Sequence, residues 1–189
     1  MNVNSGIHQS KKDLSLVSIV LHWIVALGII TLALIGLYMT ANEAWSLYPY
    51  HKSFGLILFP IIVIRVIWRL KQGWPVAVSR YSAVEHSLAK MTHWLLLILI
   101  FLMPLAGMIY SGASGHGFGI FGLELVPHNY TEDGQAIAYS EVWRDAGQTA
   151  HRYIGNALMV LIALHIAGAL KHHFVDRDAT LKRMLGKKL

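Results

Sequence analysis

Two histidines bracket an almost uncharged stretch, His151 and His165 in HRYIGNALMVLIALH, where only Arg152 is charged. On an α-helix a spacing of fourteen residues turns through ~1400°, so the second imidazole points within about 40° of the first. The same spacing separates them by about 21 Å along the axis, most of the ~30 Å of hydrocarbon in a bilayer. One apolar helix therefore offers two nitrogen ligands on one face, one near each membrane surface. Ionisable side chains inside a span are costly and as a rule functional. The chain carries 11 histidines and no cysteine. Imidazole ligation is thus open, while disulfides, iron–sulfur clusters and thiolate-bound haem are closed.

The elements that must position these residues follow from the distribution of charge. Of 189 residues 55% are hydrophobic and 14% charged, and the charges cluster between long apolar runs. This is the composition of an integral membrane protein, expected as an all-α antiparallel bundle of four transmembrane helices in one domain spanning 1–189. The expected spans are 14–41, 51–70, 91–111 and 149–170. The first follows Lys11 and Lys12 but is too long for the roughly 7–15-residue core of a signal peptide, and it buries His22, so it reads as a retained helix. Residues 1–13 read as a loosely ordered polar tail. A connector with Trp45, Tyr48, Pro49 and Tyr50 has interfacial character. Residues 71–90 read as a polar loop, with Trp74-Pro75 stopping the second helix. Between the third and fourth spans the Gly-rich GASGHGFGIFG leads into an acidic stretch, within which Gln135 to Gly147 is expected as a short surface helix.

Four spans put both termini on one side. That side holds thirteen of the sixteen lysines and arginines; the other holds Lys52, Arg144 and Arg152. The positive-inside rule makes the first side cytoplasmic. With six of the ten carboxylates on the opposite side, the outer face is net acidic although the whole chain is +6. The basic excess is a topology signal with scope for contact with anionic lipid, and no nucleic-acid partner is expected.

Depth then pairs the histidines. His22 lies ~12 Å from the cytoplasmic start of the first helix, and His165 stands a few residues before Lys171 on the same side. His51 and His151 open the second and fourth helices at the outer face. Two nitrogens at each of two levels suit two b-type haems with imidazole at both axial positions, whereas zinc wants about four ligands and no HExxH or CxxC is present. Gly28, Gly55, Gly155 and Gly168 would let a flat macrocycle approach. Arg65 and Arg69 lie at the depth of the cytoplasmic pair and are the expected partners of haem propionates, with Lys52 and Arg152 for the outer haem. His93 competes as a ligand or as a hydrogen-bonding neighbour, while His86, His116 and His128 have no depth-matched partner. The rival to a haem wire is a proton channel or carrier using His22 and His165 as a relay.

The strings SIVLHW, HKSFG, RVIWR and HxxxGxxxxxxxxxH followed by KHHF, in this order and over essentially the whole chain, resemble the bacterial cytochrome b561 family. The resemblance implies an inner-membrane protein of four helices and two haems, with axial ligands at His22, His51, His151 and His165. It further implies an oxidoreductase that takes electrons from superoxide on the periplasmic side and reduces ubiquinone near the cytoplasm, with His172 and Lys171 at the quinone site. A cytochrome b anchor subunit, fed by a dehydrogenase or hydrogenase docked on the acidic outer loops, is the alternative within that class.

Overall fold

The computed structural model describes residues 14–79 and 81–187. The expected tail at 1–13, and the charges of Arg80 and Lys188, lie outside the described residues. Four long helices run through the molecule: α1 (Leu16–Asn42), α2 (Tyr48–Gln72), α3 (Ala83–Ala113) and α4 (Glu141–Phe174). All four are long and apolar enough to cross a membrane. A short helix α5 (Thr180–Met184) follows, and a two-stranded antiparallel hairpin, β1 (Phe118–Ile120) and β2 (Leu123–Val126), sits between α3 and α4.

Local chemistry sets the helix ends. Ser15 caps α1 by accepting from the Ser18 amide at 3.2 Å. Pro49 lies in the first turn of α2, where its missing N–H costs nothing. That helix stops at Gln72, two residues before Trp74-Pro75, because Gly73 takes a positive φ of 67° and its amide closes onto the Arg69 carbonyl. Ser82 and Glu85 form a reciprocal capping box that starts α3 eight residues ahead of the expected 91, so the second half of the expected 71–90 loop is helical.

α4 also begins eight residues before the expected 149, at a cap supplied by Ser140. The expected surface helix over Gln135 to Gly147 is therefore corrected. Residues 135–140 are not helical, and Glu141 to Gly147 are the first turns of α4 itself. The reason is packing: a Cβ on Gly147 would lie 2.6 Å from the Tyr110 backbone nitrogen, so glycine lets α4 continue along α3 beyond the apolar segment.

The buried core is narrow: Val25 and Ile29 from α1, Leu58 and Ile62 from α2, Leu97 and Ile100 from α3, Leu158 from α4. Large apolar side chains elsewhere point outward, among them Leu27, Leu34, Ile64, Val160 and Leu164. A helix apolar on all sides is matched to lipid, which solvates the outward faces. α3 and α4 share the most extensive interface, α1 packs on α2, and α4 barely touches α1. The fourth helix thus stands off from the first two, and the paired histidines bridge that gap.

Candidate functional site

The two ends of the bundle differ in charge and are called here the hairpin end and the basic end. At the hairpin end His51, in the first turn of α2, faces His151 of α4 with ring centres 6.3 Å apart and planes at 82°. The His151 Nδ1 lies 3.1 Å from the Met103 carbonyl. A carbonyl only accepts, so Nδ1 carries the proton and Nε2 is left as the free lone pair, the tautomer of a metal-ligating histidine. Gly107, one turn on from Met103, makes room: a Cβ there would be 3.0 Å from the His151 ring. Gly36 of α1 faces His51 in the same manner, at 3.5 Å. The His51 Nδ1 is buried and has no hydrogen-bond partner among the described residues.

At the basic end His22 of α1 faces His165 of α4, again with ring centres 6.3 Å apart and planes at 66°. An Arg65 Nη2 donates to the His22 Nδ1 at 2.9 Å, which leaves the ring proton on Nε2, so His22 would ligate a metal through Nε2 only on giving up this bond and freeing Arg65 for an anion. His93 of α3 lies closer to His165, at 5.3 Å between ring centres, and its other face stacks on Trp74 at 5.5 Å.

These separations test which group the residues fit. An imidazole nitrogen sits ~2.0 Å from a bound metal with its ring centre about 1.1 Å behind, so two trans imidazoles have centres ~6.2 Å apart. Both interhelical pairs meet that distance. The His93–His165 separation is about 1 Å too short for it, so His93 stands beside the basic-end pair and not opposite His165.

The other expected residues are placed as follows. Arg69 donates to the Gly73 carbonyl at 2.9 Å and lies over the Trp74 ring. Lys52 donates to the Gly117 carbonyl at 2.9 Å, fastening the hairpin over the start of α2. Ser53 accepts from the Phe121 amide at 3.0 Å and strengthens the same contact. Arg152 is exposed. Of the glycines, Gly28 serves close approach of α1 to Leu58 of α2, and Gly155 approaches Met103. Gly55 and Gly168 have open space where a Cβ would go.

Lys171 and His172 fall within an ionic cluster at the basic end. Lys171 pairs with Glu85 and Asp176, and His172 pairs with Asp176 at 2.7 Å and approaches Asp178 at 3.6 Å. The Tyr81 hydroxyl donates to Asp178. Burial alone would raise the Asp178 carboxyl, but the Tyr81 hydroxyl and the Thr180 amide outweigh it and hold the group below its usual range. Burial, then the bond to Asp178, pushes the Tyr81 hydroxyl up.

Sequence reasoning missed Gly36, Gly107, Tyr81 and the acids of this cluster. Only the SAVE string at Ser82–Glu85 offered a local signal, as a capping box. The glycines carry none, because their meaning depends on the helix opposite.

A family model for prokaryotic cytochrome b561 matches residues 13–187. Among curated proteins, the chain is 32% identical over 176 residues to cytochrome b561 homolog 2 of Escherichia coli (strain K12), covering 90% of each. It is 28% identical over 181 residues to the probable superoxide oxidase CybB of Yersinia pestis, covering 94% of this chain and 98% of that protein. Cytochrome b561 homolog 1 of the same Escherichia coli strain is 26% identical over 175 residues, covering 90% of this chain and 95% of its own length.

Proposed function

The chain belongs to the prokaryotic cytochrome b561 family, the haem b electron-transfer proteins of the bacterial inner membrane, and from that premise we propose a di-haem superoxide:ubiquinone oxidoreductase. The observation that carries the two-haem reading is the pair of 6.3 Å imidazole separations, one at each end of the bundle. His51 and His151 would hold haem b at the hairpin end, and His22 and His165 would hold it at the basic end. By this reading the described residues belong to one domain around both sites, and the charge asymmetry makes both termini cytoplasmic.

Haem b, held between each pair, would supply one-electron chemistry there. The chain's own residues do the rest. Met103 orients the His151 ring, and Gly36 and Gly107 keep the space beside the hairpin-end imidazoles clear. Arg65 lies beside His22, where its guanidinium would hold a propionate carboxylate and favour the less positive, reduced state of the site. Arg69 adds charge at the same depth. Lys52 and Arg152 serve the outer propionates from either side of the hairpin-end pair.

Two superoxide anions each lose one electron and become dioxygen. Two electrons and two protons convert ubiquinone to ubiquinol. His172, set among carboxylates at the basic surface, relays those protons, and Lys171 anchors the quinone end of α4 through Glu85 and Asp176. The relative named as a probable superoxide oxidase supports this choice of donor.

One observation favours a second reading. The outer face is net acidic and repels an anionic donor at long range. A basic soluble dehydrogenase or hydrogenase docked there would be steered correctly, with this chain as its cytochrome b anchor.

The purified full chain, titrated for haem, is expected to hold two haem b per polypeptide, and fewer than two would overturn the two-haem assignment. Addition of superoxide under anaerobic conditions should reduce the haem. Absence of reduction, with reduction by a docked protein donor instead, would select the anchor reading.

A further inference from the structure

Past the end of α4 the chain turns back on itself. The amides of Val175 and Asp176 bond the Lys171 carbonyl at 2.9 and 3.2 Å, and the Asp178 amide bonds the His172 carbonyl at 3.0 Å. Arg177 makes that turn at a positive φ of 53°, a conformation that L side chains rarely adopt. Two carboxylates, Asp176 and Asp178, are thereby returned to the last turn of the helix, where His172 stands.

The His172 ring is held on two sides. Its Nδ1 lies 2.7 Å from an Asp176 oxygen and 3.6 Å from an Asp178 oxygen. The Tyr81 ring, just ahead of α3, packs against it with centres 4.7 Å apart. The carboxylates are fixed in their turn. Asp176 pairs with Lys171 at 3.0 Å, and Lys171 is tied across to Glu85 of α3. Asp178, with a side chain only 2% exposed, accepts from the Tyr81 hydroxyl and from the Thr180 amide. An ionised carboxylate only accepts, so the Nδ1 of His172 carries the proton. Among the described residues no hydrogen bond or ion pair engages its Nε2, which is the ring atom left to meet a ligand.

We infer that Asp176, Asp178 and Tyr81 are positioning residues that fix the Nδ1 proton of His172 and so assign proton transfer to the quinone to its Nε2. This rests on the reading of His172 as the relay, and adds the transferring atom and the residues that set it. In each transfer the Nε2–H bond breaks and an O–H bond forms on a quinone oxygen. The ring passes from imidazolium to neutral imidazole with Nδ1 still protonated, and cytoplasmic water returns a proton to Nε2. Two such transfers match the two electrons of quinol formation. Held this way, the ring cannot flip between turnovers without breaking a charge-assisted bond.

The test uses the full haem-loaded chain in detergent, reduced with stoichiometric dithionite and mixed with a short-tailed ubiquinone while haem reoxidation is followed by absorbance. Proton transfer by a well-placed side chain is worth roughly 10²–10⁴ in rate, so losing its placement should cost at least about tenfold. Asp176→Asn is expected to lower kcat by that factor, with KM for the quinone and both haem potentials unchanged. Tyr81→Phe, which keeps the ring and loses the bond to Asp178, should slow reoxidation less. Asp176→Asn combined with His172→Gln should be no slower than His172→Gln alone, because Asp176 acts through that ring. Nitrogen NMR of histidine-labelled protein, with His172 assigned by loss of its signal in His172→Gln, reads the same arrangement without turnover. The neutral ring should be protonated at Nδ1 in the native protein and mixed in Asp176→Asn. A native rate in Asp176→Asn, multiplied losses in the double variant, or a native ring protonated at Nε2 overturns the inference. Should Asp176→Asn fail to fold, the native NMR signal and the Tyr81→Phe rate decide by the same criteria. A native rate in His172→Gln instead fails the relay reading itself, and the inference falls with it.

Discussion

The two ends of α4 present the same imidazole geometry in different surroundings. At the hairpin end the ring pair is set by backbone and glycine: Met103 orients His151, Gly107 and Gly36 flank the rings, and the nearest lysine, Lys52, is engaged by the hairpin. At the basic end the pair is set among side chains that carry charge or π-faces, namely Arg65, His93, Trp23 and, one layer out, Arg69 and Arg183. Equal ring separations mean that both ends can hold the same kind of group. Unequal surroundings mean that the group would not behave identically. On the proposed two-haem reading, the denser positive charge at the basic end would favour reduction there and draw electrons from the hairpin end.

The largest test of this comparison is removal of a ligand. His151→Ala or His51→Ala is expected to lose the hairpin-end haem and keep the other, and His22→Ala or His165→Ala the reverse, read as haem per chain and as disappearance of one potentiometric wave. His93→Ala should retain both haems, because His93 is not opposite either ring.

Next in size is Gly107→Leu. Its side chain would occupy the His151 ring position and should remove the hairpin-end haem, and even Gly107→Ala needs a shift from the 3.0 Å contact. The alanine variant should lose about 1–3 kcal/mol of stability by overpacking, measured by thermal unfolding of the holoprotein. A smaller effect is expected from Arg65→Gln. Loss of its charge should lower the basic-end potential by on the order of 1 kcal/mol, about 40 mV for one electron, with the hairpin-end wave unmoved.

The smallest effect concerns pH. Asp178 is held below its usual range, so its stabilisation is fully present above the unfolded carboxyl value of about 3.9 and is lost as pH falls through the lower folded value. Tyr81 is raised, so its contribution is present below the unfolded value of about 10 and is lost as pH climbs past it. Tyr81→Phe should weaken both dependences, seen as a flatter curve of unfolding temperature against pH at the two extremes.

Much of the site was legible in the sequence because its logic is one-dimensional. A helix rises and turns by a constant amount per residue, so fourteen positions between His151 and His165 set one face and two depths before any packing is known. Runs without charge must cross lipid, and the lysine and arginine imbalance orients them. The ends of the helices were less legible. Ser82 and Ser140 start α3 and α4 well outside the apolar segments, since capping and contact with a neighbouring helix, not hydropathy, decide where a helix begins.

What the tertiary structure alone decided is which groups on different helices touch. Sequence depth could not say how His93 and His22 stand about His165; the fold puts their ring centres 5.3 Å and 6.3 Å from it. Nor could composition distinguish Gly107 and Gly36, which border imidazoles, from Gly28, which lets two helices meet. Arg183 counts in sequence only toward the basic excess of one side, and it is the fold that turns α5 beneath the bundle and buries it. Periodicity along one chain axis is a local property of the backbone. The distance between residues separated by a hundred positions is set only when the helices pack.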